Sequence, residues 1–216
     1  IQLSSNSKPW VVPLIIYDEK KGIRKKIKIL VKHEDLRKDK LTMYISHWVN
    51  FICSKYVNMI TYAIVTYDLT FGWVEMIPDS TTLYDINYIK KKSLQNYIMD
   101  FNEGMTVNTL RNNFINSCVA SCVLCYILGV GDRHSDNILV TKYGELINID
   151  FSYILGEDPK HVNVEMKITN DMLDMLGGRN SSGFIKFKDK CTKIYKQLRK
   201  CSSLWFILLT YLAFNE

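Results

Sequence analysis

Residues 131–139 read Gly131-Asp132-Arg133-His134-Ser135-Asp136-Asn137-Ile138-Leu139, and residues 149–152 read Ile149-Asp150-Phe151-Ser152. Ahead of the first stretch lies Val107–Leu128, strongly apolar and helical in its spacing, and Gly129-Val130-Gly131 ends it. Between the two stretches, Ile138–Thr141 and Glu145–Ile149 flank Lys142-Tyr143-Gly144, a compact hairpin pattern. A helix therefore delivers the first stretch and a hairpin returns the second beside it. Asp132, His134, Asn137 and Asp150 are expected to converge on one pocket. Transfer of a phosphoryl group from a nucleotide needs such a set. An Asp and an Asn supply hard oxygen ligands for magnesium, and an acid or an imidazole handles the acceptor's hydroxyl proton.

On the N-terminal side, the chain reads as strands around one helix. Trp10–Tyr17 and Ile27–Val31 are apolar and rich in β-branched residues, with the polar turn Asp18–Gly22 between them. Glu34–Tyr56 carries apolar residues at the helical period, among them Leu36, Leu41, Ile45, Val49 and Ile52. Ile60–Tyr67 and Gly72–Ile77 are two more short strand patterns, and Pro78-Asp79-Ser80 breaks the run. From residue 81 the character is helical, with Thr82–Ile89, Leu94–Phe101, Asn170–Leu176 and Phe184–Phe214 as further helical stretches and Gly156–Lys167 as a loop. The expected class is α+β: a β-rich N-terminal lobe, residues 1–79, and a mainly helical C-terminal lobe, residues 80–216.

Composition narrows the classes. A chain of 216 residues that is 47% hydrophobic and 23% charged buries a substantial core, which excludes disordered and fibrous proteins. The longest apolar stretches, Cys118–Val130 and Leu204–Phe214, fall short of the roughly 18–20 residues that a membrane span needs. Of the six cysteines, Cys122 and Cys125 form a lone CxxC inside an apolar helical run, which reads as buried reduced thiols rather than a zinc site. The net charge of +6 suits an anionic partner, phosphate or a membrane surface, without choosing between them.

The two quoted stretches, GDRHxxNIL followed by IDF, resemble the signature of the phosphatidylinositol 3- and 4-kinase superfamily. The resemblance covers essentially the whole chain and implies a two-lobed, protein-kinase-like fold. Leu30-Val31-Lys32-His33-Glu34-Asp35-Leu36-Arg37-Lys38-Asp39 looks like that family's strand lysine and DLRQD helix start, one residue shorter between the two. It implies that Lys32 contacts nucleotide phosphates and that Asp39 lies at the nucleotide site. Ser4-Ser5-Asn6-Ser7-Lys8-Pro9 resembles the family's phosphate-binding loop, with Ser5 and Lys8 as its contacts. Tyr62 and the run Gly72-Trp73-Val74-Glu75-Met76-Ile77 resemble the strands leading to the hinge, with Glu75, Met76 and Ile77 facing the adenine and Tyr62 lining an inner pocket. The implied cofactors are ATP and Mg2+, with Mn2+ as the alternative. Asn137 and Asp150 would hold the metal, His134 would take the hydroxyl proton, and Asp132 would orient the site. Ser152 stands where the family usually has Gly.

The loop after Asp150, with Ser152, Tyr153, Gly156, Lys160 and Lys167, would face the acceptor. Together with Met175-Leu176-Gly177-Gly178 it most resembles class III phosphatidylinositol 3-kinase. Its charges also nearly balance, Lys160 and Lys167 against Glu157, Asp158 and Glu165, which suits plain phosphatidylinositol better than a multiply phosphorylated headgroup. The resemblance therefore implies an enzyme that phosphorylates the 3-hydroxyl of phosphatidylinositol, cytoplasmic and peripheral on endosomal membranes, with roles in phosphoinositide signalling and autophagy. Regulatory subunits are expected if the rest of the family's domains are present, and no nucleic-acid partner is expected. A phosphatidylinositol 4-kinase, a protein kinase of the same superfamily and an inactive kinase-fold scaffold are the alternatives. The chain begins at Ile1 and stops soon after Phe214, so it is expected to be a piece of a longer kinase that carries the ATP site and binds membranes weakly.

Overall fold

The computed structural model describes residues 9–18, 22–102, 104–159 and 167–214. Four antiparallel strands form the first sheet: β1 (Trp10–Asp18), β2 (Ile23–Lys32), β3 (Ile64–Thr66) and β4 (Gly72–Glu75), in the order β1-β2-β4-β3. β1 pairs with β2 from Trp10↔Val31 to Asp18↔Ile23, whereas β4 pairs only with Ile29–Lys32 of β2. Among the described residues, the outer half of the β1–β2 hairpin thus has no third strand beside it.

Helix α1 (Arg37–Ile52) packs against β3. Its buried seam, Asp39, Thr42, Met43, Ile45, Ser46 and Val49, follows the helical period and mixes apolar with small polar residues. The buried hydroxyls are satisfied inside the helix, Thr42 Oγ1 donating to the carbonyl of Lys38 and Ser46 Oγ to that of Thr42, both at 2.8 Å.

The second half is helical around a small sheet. Strands β5 (Ser80–Thr82), β6 (Ile138–Thr141) and β7 (Leu146–Asn148) pair antiparallel in the order β5-β6-β7. A π-helical turn covers Asp85–Ile89. The helices are α2 (Leu94–Met99), α3 (Val107–Ile127), α4 (Asn170–Met175), α5 (Ser182–Lys200) and α6 (Ser202–Phe214). Helix α3 is the axis of this lobe, packed between α5 and β7. Buried residues run around it almost without a break from Ser117 to Cys125, so periodicity alone marks no outer face. Its thiols Cys122 and Cys125 are buried, and burial, with the neighbouring Cys118 thiol leading for Cys122, pushes both up, that of Cys125 to about 12. Side-chain caps define four helix starts: Ser93, Thr106, Thr169 and Ser181 each accept from a backbone N–H within the first turn that follows.

The molecule is an α+β, two-lobed kinase-like fold, as the sequence pattern predicts. One local boundary is corrected: Ser80, Thr81 and Thr82 complete the sheet edge opposite Thr141, Val140 and Leu139 as β5, so the helical stretch expected over Thr82–Ile89 begins only after Thr82. The stretch Phe184–Phe214 is helical, as expected, and divides into two helices. Helix α5 ends at Lys200, Cys201 leaves helical geometry at φ −99° and ψ 22°, and α6 starts at Ser202. No helix among the described residues is long and apolar enough to cross a membrane.

Candidate active site

The segment leaving α3 is shaped by what lies on top of it. Residues 153–156 run alongside Leu128–Gly131. Leu155 N–H donates to the Leu128 carbonyl at 2.6 Å, Gly156 N–H to Gly129 at 3.0 Å, and Gly131 N–H to Tyr153 at 2.9 Å. A Cβ on Gly131 would sit 2.2 Å from the Glu157 carbonyl oxygen, and one on Gly129 would sit 2.8 Å from the Gly156 nitrogen. Only glycine permits this approach.

Both acids of the motif take left-handed backbone conformations, Asp132 at φ 49° and Asp150 at φ 59°. Such a conformation costs a non-glycine residue about 1–3 kcal/mol. Arg133 offsets the strain by cross-linking the backbone. Its guanidinium donates to the carbonyls of Gly131 (3.0 Å), Asn137 (3.4 Å), Ile149 (2.8 Å) and Asp150, and lies 5.5 Å from the centre of the Phe151 ring. One side chain thereby fastens the end of β7 to the turn that carries Asp132 and His134. Lys167 adds a bond from its Nζ to the Arg133 carbonyl at 3.2 Å.

The functional side chains follow from that frame. Asn137 is buried, and its Nδ2 donates to the Asp132 carbonyl at 3.1 Å, which fixes the amide and leaves its oxygen as the acceptor. His134 is flanked by two carboxylates, with Nε2 3.7 Å from Asp132 Oδ2 and Nδ1 3.6 Å from Asp136 Oδ2. Asp150 receives the Ser152 hydroxyl at 2.8 Å and the Ser152 N–H at 3.3 Å, both on Oδ1. The serine that replaces the expected glycine therefore orients the carboxylate of Asp150.

On the N-terminal lobe, Asp39 Oδ1 accepts the Phe151 N–H at 2.9 Å. Burial is the main reason that its carboxyl is raised to about 6. The Asp150 charge adds to the shift, while the Phe151 N–H and Lys32 oppose it. Tyr62 is also buried here, and loss of solvent, with Asp39 and Asp150 nearby, holds its phenol well above the usual range. Burial works against the charge of Lys32. The hydrogen-bonded Glu34 carboxylate, with Asp39 and Asp150 behind it, outweighs that effect and raises its pKa. Lys32 is thus a fixed cation facing the two acids, with Glu34 as its partner.

At the proposed hinge, Met76 N–H is consumed by the Lys28 carbonyl at 2.8 Å, and Glu75 N–H by Ala63 at 2.8 Å. The Glu75 carboxylate is tied to Ala63 N–H at 3.2 Å and to Lys25 at 3.4 Å. Among the described residues Ile77 N–H has no partner, so it is the backbone donor left for a ligand, while its carbonyl accepts from Ser80 Oγ at 2.8 Å.

The structure thus gathers Lys32, Asp39, Tyr62, Asp132, His134, Asn137, Asp150 and Ser152 at the junction of the lobes. Tyr153 and Gly156 are exposed on the loop beyond, and Ser5, Lys8 and Lys160 lie outside the described residues. For a metal the site offers the Asp150 carboxylate and an Asn137 amide oxygen whose orientation is fixed by the Nδ2 bond to Asp132. Two hard oxygens suit a cation whose other ligands are phosphate and water oxygens, as with Mg2+. Sequence reasoning assigned no role to Arg133, although it stands inside the quoted motif, nor to Lys38, and it counted Glu157 only in the charge of the acceptor loop, because the contact between Lys38 and Glu157 depends on the fold.

Residues 86–216 match the family described as phosphatidylinositol 3- and 4-kinase. The chain belongs to that family. Among its relatives, the phosphatidylinositol 3-kinase pik3 of Schizosaccharomyces pombe is 35% identical over 182 residues, 79% of this chain and 23% of the relative. The phosphatidylinositol 3-kinase VPS34 of Arabidopsis thaliana is 33% identical over 195 residues, 86% of this chain and 24% of the relative. The protein of the same name in Saccharomyces cerevisiae is 35% identical over 179 residues, 79% of this chain and 20% of the relative. The chain therefore spans about a quarter of the length of the curated relatives it matches.

Proposed function

We propose that this chain carries the catalytic centre of a phosphatidylinositol 3-kinase, with residues 1–79 as its N-terminal lobe and 80–216 as its C-terminal lobe. The observation that carries the reading is the convergence of Lys32, Asp132, His134, Asn137 and Asp150 at one junction, within a chain about one third identical to proteins named phosphatidylinositol 3-kinase. ATP enters with its adenine against Glu75–Ile77, where Ile77 N–H donates to the base and the half-buried side chains of Met76 and Ile77 line the pocket. Ser5 and Lys8 cradle the phosphates, and Lys32 neutralises them. Asn137 and Asp150 hold Mg2+ (Mn2+ is the alternative), which screens the phosphate charge when bound.

The inositol 3-hydroxyl oxygen forms a bond to the γ-phosphorus, and the bond from that phosphorus to the bridging oxygen breaks. ADP leaves, and the hydroxyl proton passes to His134, which lies between the carboxylates of Asp132 and Asp136. Positioning and electrostatics supply most of the rate. The acceptor sits against Ser152–Gly156, Lys160 and Lys167. The enzyme works as a peripheral protein on intracellular, endosomal membranes, with regulatory subunits as partners if the rest of the family's domains are present.

The test is a radiolabelled ATP assay on phosphatidylinositol vesicles with headgroup analysis of the product. The expected product is the 3-phosphate, and His134→Ala should lose activity by about 10²–10⁴-fold while retaining nucleotide binding. A 4-phosphate product, phosphorylation of peptides in preference to lipid, or unchanged turnover in His134→Ala would overturn the reading.

A further inference from the structure

Lys38 stands in the first turn of α1, on the N-terminal lobe, and its side chain crosses to the other lobe. Its Nζ lies 3.1 Å from the Ser152 carbonyl and 2.5 Å from Glu157 Oε2. The neighbouring Asp39 accepts the Phe151 N–H at 2.9 Å. Two consecutive residues of α1 therefore hold the donor of Phe151 and the acceptor of Ser152, immediately after Asp150. On its other side the same segment is hydrogen-bonded to Leu128, Gly129 and Gly131, and the Asp158 carboxylate accepts the Asp132 N–H at 3.3 Å. The segment from Ser152 to Asp158 is thus fixed to the catalytic turn below, while Lys38 is its tie to the lobe above.

We propose that Lys38 is a positioning residue, a strap between the lobes that holds Ser152–Glu157 in place and so sets the seat of the acceptor rather than that of ATP. Its side chain is 43% exposed and that of Glu157 is 58% exposed. An ion pair this open adds little to global stability, so its effect falls on local opening of the segment. The contact also accounts for Glu157, whose charge is spent on Lys38 and not presented to the acceptor. The kinetic part of this inference rests on the lipid-kinase reading; the structural part does not.

The test is hydrogen exchange on the full chain, read at peptides covering residues 151–158. The amides of Phe151, Ser152, Leu155 and Gly156 are bonded there and report opening directly. Lys38→Met and Glu157→Gln should each speed exchange of those peptides by about threefold, with the unfolding midpoint unchanged. Lys38→Arg should restore protection, and the swap Lys38→Glu with Glu157→Lys should restore it in part, because the Ser152 carbonyl contact is lost. In the vesicle assay, Lys38→Met should raise KM for the lipid and leave KM for ATP unchanged. Unchanged exchange in Lys38→Met, or a rise spread over the whole chain with a lowered midpoint, would overturn the strap. A wild-type chain that exchanges as expected but leaves phosphatidylinositol unmodified would overturn the lipid-kinase reading alone.

Discussion

The outer half of the β1–β2 hairpin and the segment after Asp150 both lie outside the regular packing of their lobes, yet they are held in opposite ways. The hairpin depends on one ladder of repeating bonds, Leu14↔Ile27 to Asp18↔Ile23, with Ile15 64%, Tyr17 62% and Ile23 56% exposed. Any sequence with β propensity and the right turn would make that ladder. The segment after Asp150 depends on single atoms: a carboxylate oxygen of Asp39, an ammonium of Lys38, the Arg133 guanidinium near the Phe151 ring and two glycines with no room for a side chain. The lesson is that tolerance to change tracks the kind of contact. Repeating backbone bonds survive replacement of side chains, whereas a site built from unique contacts does not.

Glycine substitutions give the sharpest break. Gly131→Ala should lower stability by about 3 kcal/mol or more in urea unfolding, because its Cβ meets a backbone oxygen at 2.2 Å. Gly22→Ala, at φ +63° but with nothing within 4 Å, should cost only ~1 kcal/mol. Equal losses at the two sites would mean that the turn after α3 yields as readily as the hairpin does.

A second effect is electrostatic. Burial raises the Asp39 carboxyl from 3.8 to about 6 in the folded chain, so between those values the folded state holds a proton that the unfolded state releases. The contribution to stability is full below about pH 4 and is lost as pH rises through about 6, by up to ~3 kcal/mol. Urea unfolding at pH 4 and pH 7 in EDTA measures it. Asp39→Asn should flatten the fall, and an identical fall in both proteins would remove Asp39 as its source. The smallest effect belongs to the hairpin, where Ile15→Thr should change stability by no more than about 0.5 kcal/mol in the same assay. A larger loss would show that the exposed isoleucine is holding more than the ladder.

Much of the fold can be read from the sequence because apolar spacing reports burial. Ile45, Val49 and Ile52 set α1, and the continuous apolar run of α3 marks a helix surrounded by protein. The turn at residues 131–137 is legible because unusual residue types, two acids, a histidine and an asparagine, are packed directly after a glycine. Strand β5 was hidden because three polar residues after a proline have no pattern of their own, and their pairing with Leu139–Thr141 is set from elsewhere. The break at Cys201 was equally silent, for neither Gly nor Pro stands there. In retrospect Arg199 and Lys200 in the last turn, and Ser202 after it, fit a helix end and a restart. The roles of Arg133 and Lys38 depend on which carbonyls the fold brings within reach, and no spacing rule encodes that.

The thiols packed around α3 give the protein a chemical property beyond shape. Those of Cys122, Cys125 and Cys191 are all raised, mainly by burial (for Cys122 the Cys118 thiol acts first), to about 12 for Cys125 and Cys191. The reactive form is the thiolate, and a group with a pKa near 12 presents only about one part in 10⁵ of it at neutral pH. While the lobe stays closed, electrophiles and oxidants find almost nothing there to attack. Each opening that exposes the axis helix returns these sulfurs to ordinary reactivity, so the rate at which they are alkylated is a clock that counts openings of the helical lobe.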